Sequence, residues 1–377
     1  MKSLGIYVHI PFCVKKCDYC NFNSQVPADS QQIKQYINAL LLDIQLSSVL
    51  GQNQEVGSVY LGGGTPSFIA AKYISLIITR IRQCFKLTVN PELAIEVNPS
   101  SLSEQKLLVY QQAGINRVSV GAQSFKNKYL KLLGRPHNPR QALIALKMFK
   151  AHGFANISVD LIYGLPGQSL ADWQDDLQAA VDSGVSHISL YDLVIEKNTP
   201  FYNIRNKLKL ADNDLQGVMY KKADNFLIKN KFKHYEISSF AKKGRESKHN
   251  LIYWNNLEYI GLGAGAYSYV KGERFSKSRD LKQYQQQAKK AKFKHYSSEV
   301  LSSRKSLEET LILRLRLLGG FSLENMEKAL EQKIPQDIIQ VLNQFVNQGF
   351  ILLRNNRYKL SKKGLLHYDT IASEFLS

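Results

Sequence analysis

Three of the four cysteines in this 377-residue chain fall within eight positions, as Cys13, Cys17 and Cys20 in the spacing C-x3-C-x2-C. Three thiolates on one short loop can each take a corner of a cubane iron–sulfur cluster, which is normally held by four. The fourth iron is then left without a protein ligand and is open to a small molecule. A structural zinc site asks for four ligands in a closed tetrahedron, usually as paired C-x2-C units, and the chain has no second pair. His9 is the neighbour able to complete such a site, but it alternates with Tyr7 along an apolar run and reads more easily as strand. A disulfide would leave one thiol over, and the N-terminus lacks a signal peptide's apolar core. Cys84 stands alone and reads as a small buried hydrophobe.

The chain is long for one core and suggests a large domain plus a smaller one. No run approaches the ~18 apolar residues needed to span a bilayer. Few cysteines and no export signal point to a reducing cytoplasm. The net charge of +19 is unevenly spread: residues 1–200 carry +4, 201–300 carry +12 and 301–377 carry +3. A basic middle third suits nucleic acid, an anionic membrane surface, a ligand with several carboxylates, or simply solvated lysine faces. Nothing resembles an arginine-rich recognition helix or an aromatic stacking platform, so no nucleic acid partner is expected.

Short β-rich runs at 5–10, 57–61, 93–97, 115–120, 157–163 and 186–191 alternate with helical patterns near 31–50, 67–84, 102–113, 138–152 and 170–182. Such alternation predicts an α/β fold with a parallel sheet and helices outside. In barrels built this way, chemistry collects where strands end. The first strand ends in the cysteine loop. The second runs into Gly62-Gly63-Gly64-Thr65-Pro66, whose glycines let backbone approach a ligand closely. A Walker loop is absent, so a nucleotide-phosphate reading fails. The third strand carries Glu96 among apolar neighbours, where an unpaired carboxylate would be costly. The fourth ends at Gln123, a donor and an acceptor at once. The fifth holds Asp160 and runs into Gly164-Leu165-Pro166-Gly167-Gln168; the sixth continues to Val194.

The cysteine spacing, with Tyr19 before the last cysteine, resembles the radical S-adenosylmethionine (SAM) superfamily. The run Tyr7-Val8-His9-Ile10-Pro11-Phe12-Cys13 is similar to the branch containing oxygen-independent coproporphyrinogen III oxidase and the HemW-type haem chaperones. The resemblance implies a partial (β/α)6 radical SAM barrel, a 4Fe–4S cluster on Cys13, Cys17 and Cys20, and SAM chelated to the open iron. It further implies SAM contacts from Tyr7, Tyr19, Gly63, Gly64, Thr65 and Glu96. Gln123, Arg135, Asp160 and Val194 match positions around a second SAM or its adenine, and Ala266 and Tyr267 match the remaining contacts.

Within the branch, two places separate the readings. The oxidase pattern has a fourth cysteine two positions after the third, where this chain has Phe22. The string His249-Asn250-Leu251-Ile252-Tyr253-Trp254 is typical of the HemW type instead. It offers an imidazole able to ligate haem iron and two aromatic rings able to stack on a porphyrin. Without the resemblance, His249 would read as a histidine in a charged surface loop. The expected function is haem binding and transfer to an acceptor protein. The alternatives are coproporphyrinogen III decarboxylation and, less favoured, nucleic-acid modification. The expected division is a barrel over 1–240, a linking region over 241–300 and a winged-helix-like unit over 301–377 that acts as a lid or docking module. No transmembrane segment is expected, peripheral membrane contact is compatible with the charge, and the acceptor and oligomeric state stay open.

Overall fold

The computed structural model describes residues 3–293 and 295–376. Six strands, β1 (Leu4–Ile10), β2 (Val56–Gly63), β3 (Leu87–Val97), β4 (Arg117–Gln123), β5 (Asn156–Tyr163) and β6 (His187–Asp192), pair in parallel in sequence order. Helices α1 (Ser30–Ser47), α2 (Ala71–Cys84), α3 (Glu104–Ala113), α4 (Asn127–Leu132), α5 (Pro139–Ala151) and α6 (Leu170–Asp182) connect them. Side chains alternate across a strand. Val59, Leu61, Leu93, Ile95, Val118, Val120, Val159 and Leu161 are buried in the hydrophobic layer shared with the helices. The alternate positions, Tyr60, Glu96, Ser119, Gln123 and Asp160, line the barrel interior instead. The layer under the helices is therefore aliphatic, and the interior is polar or small.

Segment 241–300 is not a linker. After α7 (Pro200–Ile204) and α8 (Asn213–Lys229), the hairpin β7 (Lys233–Glu236) and β8 (Ser239–Ala241) adds to the free edge of β6. The chain then passes through α9 (Lys248–Trp254) to β9 (Tyr259–Leu262), which pairs in parallel with β1. β10 (Tyr267–Val270), β11 (Glu273–Ser276) and β12 (Ser297–Val300) continue the sheet antiparallel, giving twelve strands. Ile260, Leu262, Val270, Phe275 and Tyr284 belong to the same core as β1 to β6, which is the physical reason the segment cannot stand apart.

A second apolar cluster spans Leu307 to Phe375. It is built by α10 (Leu281–Lys289)'s successors α11 (Ser303–Leu315), α12 (Leu323–Leu330) and α13 (Gln336–Asn347), followed by the hairpin β13 (Ile351–Arg354) and β14 (Arg357–Leu360). Asn355 and Asn356 turn that hairpin with φ of 49° and 58°, the left-handed pair that a two-residue turn requires. This unit leans on the barrel through Arg316. Its guanidinium lies 4.2 Å over the Trp254 ring and donates to the buried Glu236 carboxylate at 3.4 Å.

Candidate functional site

The cysteine loop leaves β1 at the end where β2 to β6 also release their loops. It closes on itself through Cys13 N–H to Gln25 O at 3.0 Å and Gln25 N–H to Pro11 O at 2.8 Å. Phe12 anchors it, fully buried and edge-on to Tyr36. Asp18 ties the far side down: its N–H reaches Leu133 O at 3.2 Å and its carbonyl accepts from Phe201 N–H at 2.9 Å. Cys13 and Cys17 are buried, Cys20 half-buried, and all three face one cavity of about 470 Å³. Burial pushes the Cys13 and Cys20 thiols up, while Thr65 Oγ1 donates to Cys13 Sγ at 3.4 Å and Arg135 Nη1 to Cys17 Sγ at 3.5 Å. Among the described residues, no three His, Cys, Asp or Glu side chains converge to hold a single metal ion.

The glycine run supports that loop from below. Gly64 N–H donates to Ile10 O and Thr65 N–H to Phe12 O, both at 2.8 Å. A Cβ on Gly64 would stand 2.9 Å from both Ile10 O and Phe12 O, and backbone cannot step aside. Gly63 has a φ of +112°, and a Cβ there would meet the His9 imidazole at 2.5 Å. Its N–H donates to Glu96 Oε2 at 3.2 Å, and Tyr60 Oη donates to Oε1 at 3.0 Å. Burial pushes the Glu96 carboxyl up to about 7, Tyr60 and Gly63 pulling against it and Asp160 adding to it. Glu96 is thus poised for a cationic or hydroxylic partner in the cavity.

On the opposite wall, Gln123 takes a φ of +65° at a register shift between β4 and β5, a conformation non-glycine residues rarely hold. Arg135 Nη2 donates to Gly121 O at 2.8 Å, so one guanidinium bridges this wall and Cys17. Both Asp160 oxygens accept from Ser119 Oγ at 3.0 Å; burial raises its carboxyl, with Ser119 and Ser189 lowering it. Tyr19, Gly63, Gly64, Thr65, Glu96, Gln123, Arg135, Asp160 and Val194 all line the cavity with the cysteines. The rim carries Phe22 (69% exposed), Val14 and Lys15. Tyr60 and Tyr191 also line it; no local motif marks them, although both sit at inward positions of their strands.

Six expected contacts lie elsewhere. Tyr7 is outside the cavity lining; it stacks behind Tyr60, with its hydroxyl on His9 Nδ1 at 3.0 Å. Ala266 is buried and Tyr267 half-exposed at the start of β10, and neither lines the cavity. His249 is 1% exposed, with Nδ1 on Ser58 Oγ and Nε2 on Tyr253 Oη, both at 2.9 Å. Neither nitrogen is free for iron, and burial lowers the imidazole to about 3. Tyr253 is wedged edge-on between His249 and Tyr259, and Trp254 is covered by Arg316. The string forms α9, which plugs the barrel floor: Glu92 accepts from the N–H groups of Lys248 and His249. It is neither a surface loop nor an open haem face.

An open α/β barrel with three cysteines on its first loop and glycines on its second defines a radical SAM fold. The profile of the radical SAM superfamily matches residues 7–180, and that of the HemN C-terminal domain matches residues 301–367. Heme chaperone HemW of Lactococcus lactis is 34% identical over 377 residues, covering 100% of this chain and 98% of that protein. HemW of Bacillus subtilis is 32% identical over 379 residues and that of Escherichia coli 31% over 389, each covering 100% of this chain and 99% of the relative. The chain belongs to the HemW family of radical SAM proteins. Coproporphyrinogen III oxidase (HemN) of Escherichia coli shares the fold, with a TM-score of 0.86 at 22% identity, covering 99% of this chain and 90% of that one.

Proposed function

We propose that this chain is a haem chaperone, binding haem and passing it to an acceptor protein, with a 4Fe–4S cluster and SAM in the barrel mouth. The observation that carries the cofactor part is the convergence of Cys13, Cys17 and Cys20 with Gly63, Gly64 and Glu96 on one cavity. The three thiolates would hold three irons. Gly63 and Gly64 backbone would receive the amino end of SAM, and Glu96 its ribose or ammonium. Tyr19, Thr65, Gln123, Arg135, Asp160 and Val194 complete the wall around it. When bound, the cluster supplies the electron that cleaves a sulfonium. Full-length similarity to the HemW proteins supports haem as cargo. Phe22, standing exposed where the oxidase pattern has a cysteine, argues against decarboxylation.

No helix among the described residues is long and apolar enough to cross a membrane. Work in the cytoplasm and, through the basic 201–300 region, contact with haem propionates or an anionic surface are parts of the same reading. The test is anaerobic reconstitution followed by titration with haemin and, separately, incubation with coproporphyrinogen III, SAM and a reductant. The expected result is one 4Fe–4S centre and one haem per chain, with no protoporphyrinogen formed. Cys13→Ala, Cys17→Ala or Cys20→Ala abolishes the cluster, whereas Cys84→Ala leaves it. Decarboxylation at enzymatic rates would move the assignment to the oxidase, and stoichiometric zinc without iron would overturn the cluster.

A further inference from the structure

The α9 string is the motif that the cavity does not absorb, and its contacts point at another task. His249 lies flat against Tyr60, with ring centroids 5.2 Å apart and planes 20° from parallel. Tyr60 is the residue whose hydroxyl holds Glu96 Oε1. Tyr7 closes the other side of the group, 6.4 Å from Tyr60 and 6.5 Å from His249. His249 cannot rotate away, because Ser58 on β2 and Tyr253 one turn further along α9 hold its two nitrogens. The helix itself is seated by Glu92, on the same strand as Glu96. A neutral imidazole has one donor and one acceptor, so two hydroxyl partners satisfy it fully.

We infer that His249 is a positioning residue for the cofactor glutamate: its ring pins Tyr60, and Tyr60 orients the Glu96 carboxylate toward the ligand held by Gly63. The inference rests on the SAM reading above and extends it to the barrel floor. It assigns the His-Asn-x-x-Tyr-Trp string to cofactor geometry rather than to haem iron. The physical requirement is modest. A carboxylate deep in a low-dielectric wall needs a donor held in place, since each donor it loses must be replaced by the ligand's own or by water. Without the imidazole, Tyr60 gains a void to turn into, and Glu96 keeps only the Gly63 amide.

The experiment compares wild type, His249→Ala and His249→Phe, all reconstituted, by SAM titration in a calorimeter, the SAM-induced change in the cluster's EPR spectrum, and haemin stoichiometry. Phenylalanine keeps a flat ring against Tyr60 but can neither ligate iron nor bond Ser58 and Tyr253. The expected result is SAM affinity at least tenfold weaker and a diminished EPR change for His249→Ala. His249→Phe should stay within about threefold of wild type. Both variants should still take up one haem per chain. Unchanged SAM affinity in His249→Ala overturns the inference, as does failure of phenylalanine to restore it. Loss of haem from both variants with SAM binding intact overturns it in favour of iron ligation. A wild type that holds its cluster but takes up no SAM defeats the SAM reading itself, and the inference with it.

Discussion

Gly64 shows how much a single missing methyl group can decide. It serves the cysteine loop as much as any ligand, because its Cβ would collide with the carbonyls of Ile10 and Phe12, whose residues lead into Cys13. Gly64→Ala should therefore lose the cluster as well as SAM, with iron per chain falling by more than half on anaerobic reconstitution. A substitution that affected SAM alone would leave iron content unchanged. Gly62→Ala should spare the iron and weaken SAM instead, since its Cβ would press on the Tyr60 ring and the Glu96 carboxylate and not on the cysteine loop. At this scale much could be read from the sequence. Cysteine spacing, glycine runs and acids stranded among apolar neighbours are local signals, and they converge on one cavity. His249 could not be read that way. Its burial depends on Ser58, 191 residues distant, and on Tyr60, neither of which its sequence neighbours announce.

Two strand interiors close with the same arrangement, a serine, a histidine and a tyrosine in line. Ser58–His249–Tyr253 is matched by Ser158–His187–Tyr235, with 2.8 Å and 2.9 Å bonds. Burial holds both imidazoles neutral, lowering His249 to about 3 and His187 well below its usual value. Unfolded, each would titrate near 6.5, so between pH 4 and 6 the unfolded chain binds protons that the folded one refuses. Stability from these groups is complete above pH 6.5 and falls as the solution is acidified. Glu96 acts in the opposite sense: its raised carboxyl, about 7 against 4.5 unfolded, costs stability as pH rises through that window. The difference in unfolding free energy between wild type and His249→Phe should therefore shrink on acidification from pH 6 to 5 by about 1 kcal/mol, measured by urea titration. Among elements, β1 to β6 were legible because alternation and turn chemistry recur at each. β9 to β12 were not: each is four residues long, and their sheet positions are set by partners outside the local pattern.

At the scale of the molecule, Arg316 joins the C-terminal unit to the barrel. It stacks on Trp254, lies 5.3 Å from the Tyr368 ring, and pairs with Glu236, which is 1% exposed. Arg316→Ala leaves that carboxylate buried beside fewer donors and should cost about 3 kcal/mol in a denaturant melt. Arg316→Lys should recover only part of the loss, because an ammonium does not stack as a planar guanidinium does. The strand order has a consequence in time rather than in space. β1 lies between β2 and β9, so the strand that carries the cysteine loop gains its second neighbour from residues 259–262. Synthesis at about 5–20 residues per second puts roughly 12 to 50 seconds between the two strands leaving the ribosome. Throughout that interval one edge of β1 is unsatisfied and the thiols have no finished seat. Cluster insertion must then follow the pairing of β9 with β1, and a nascent chain truncated before residue 259 should take up no iron while one extended through residue 290 should.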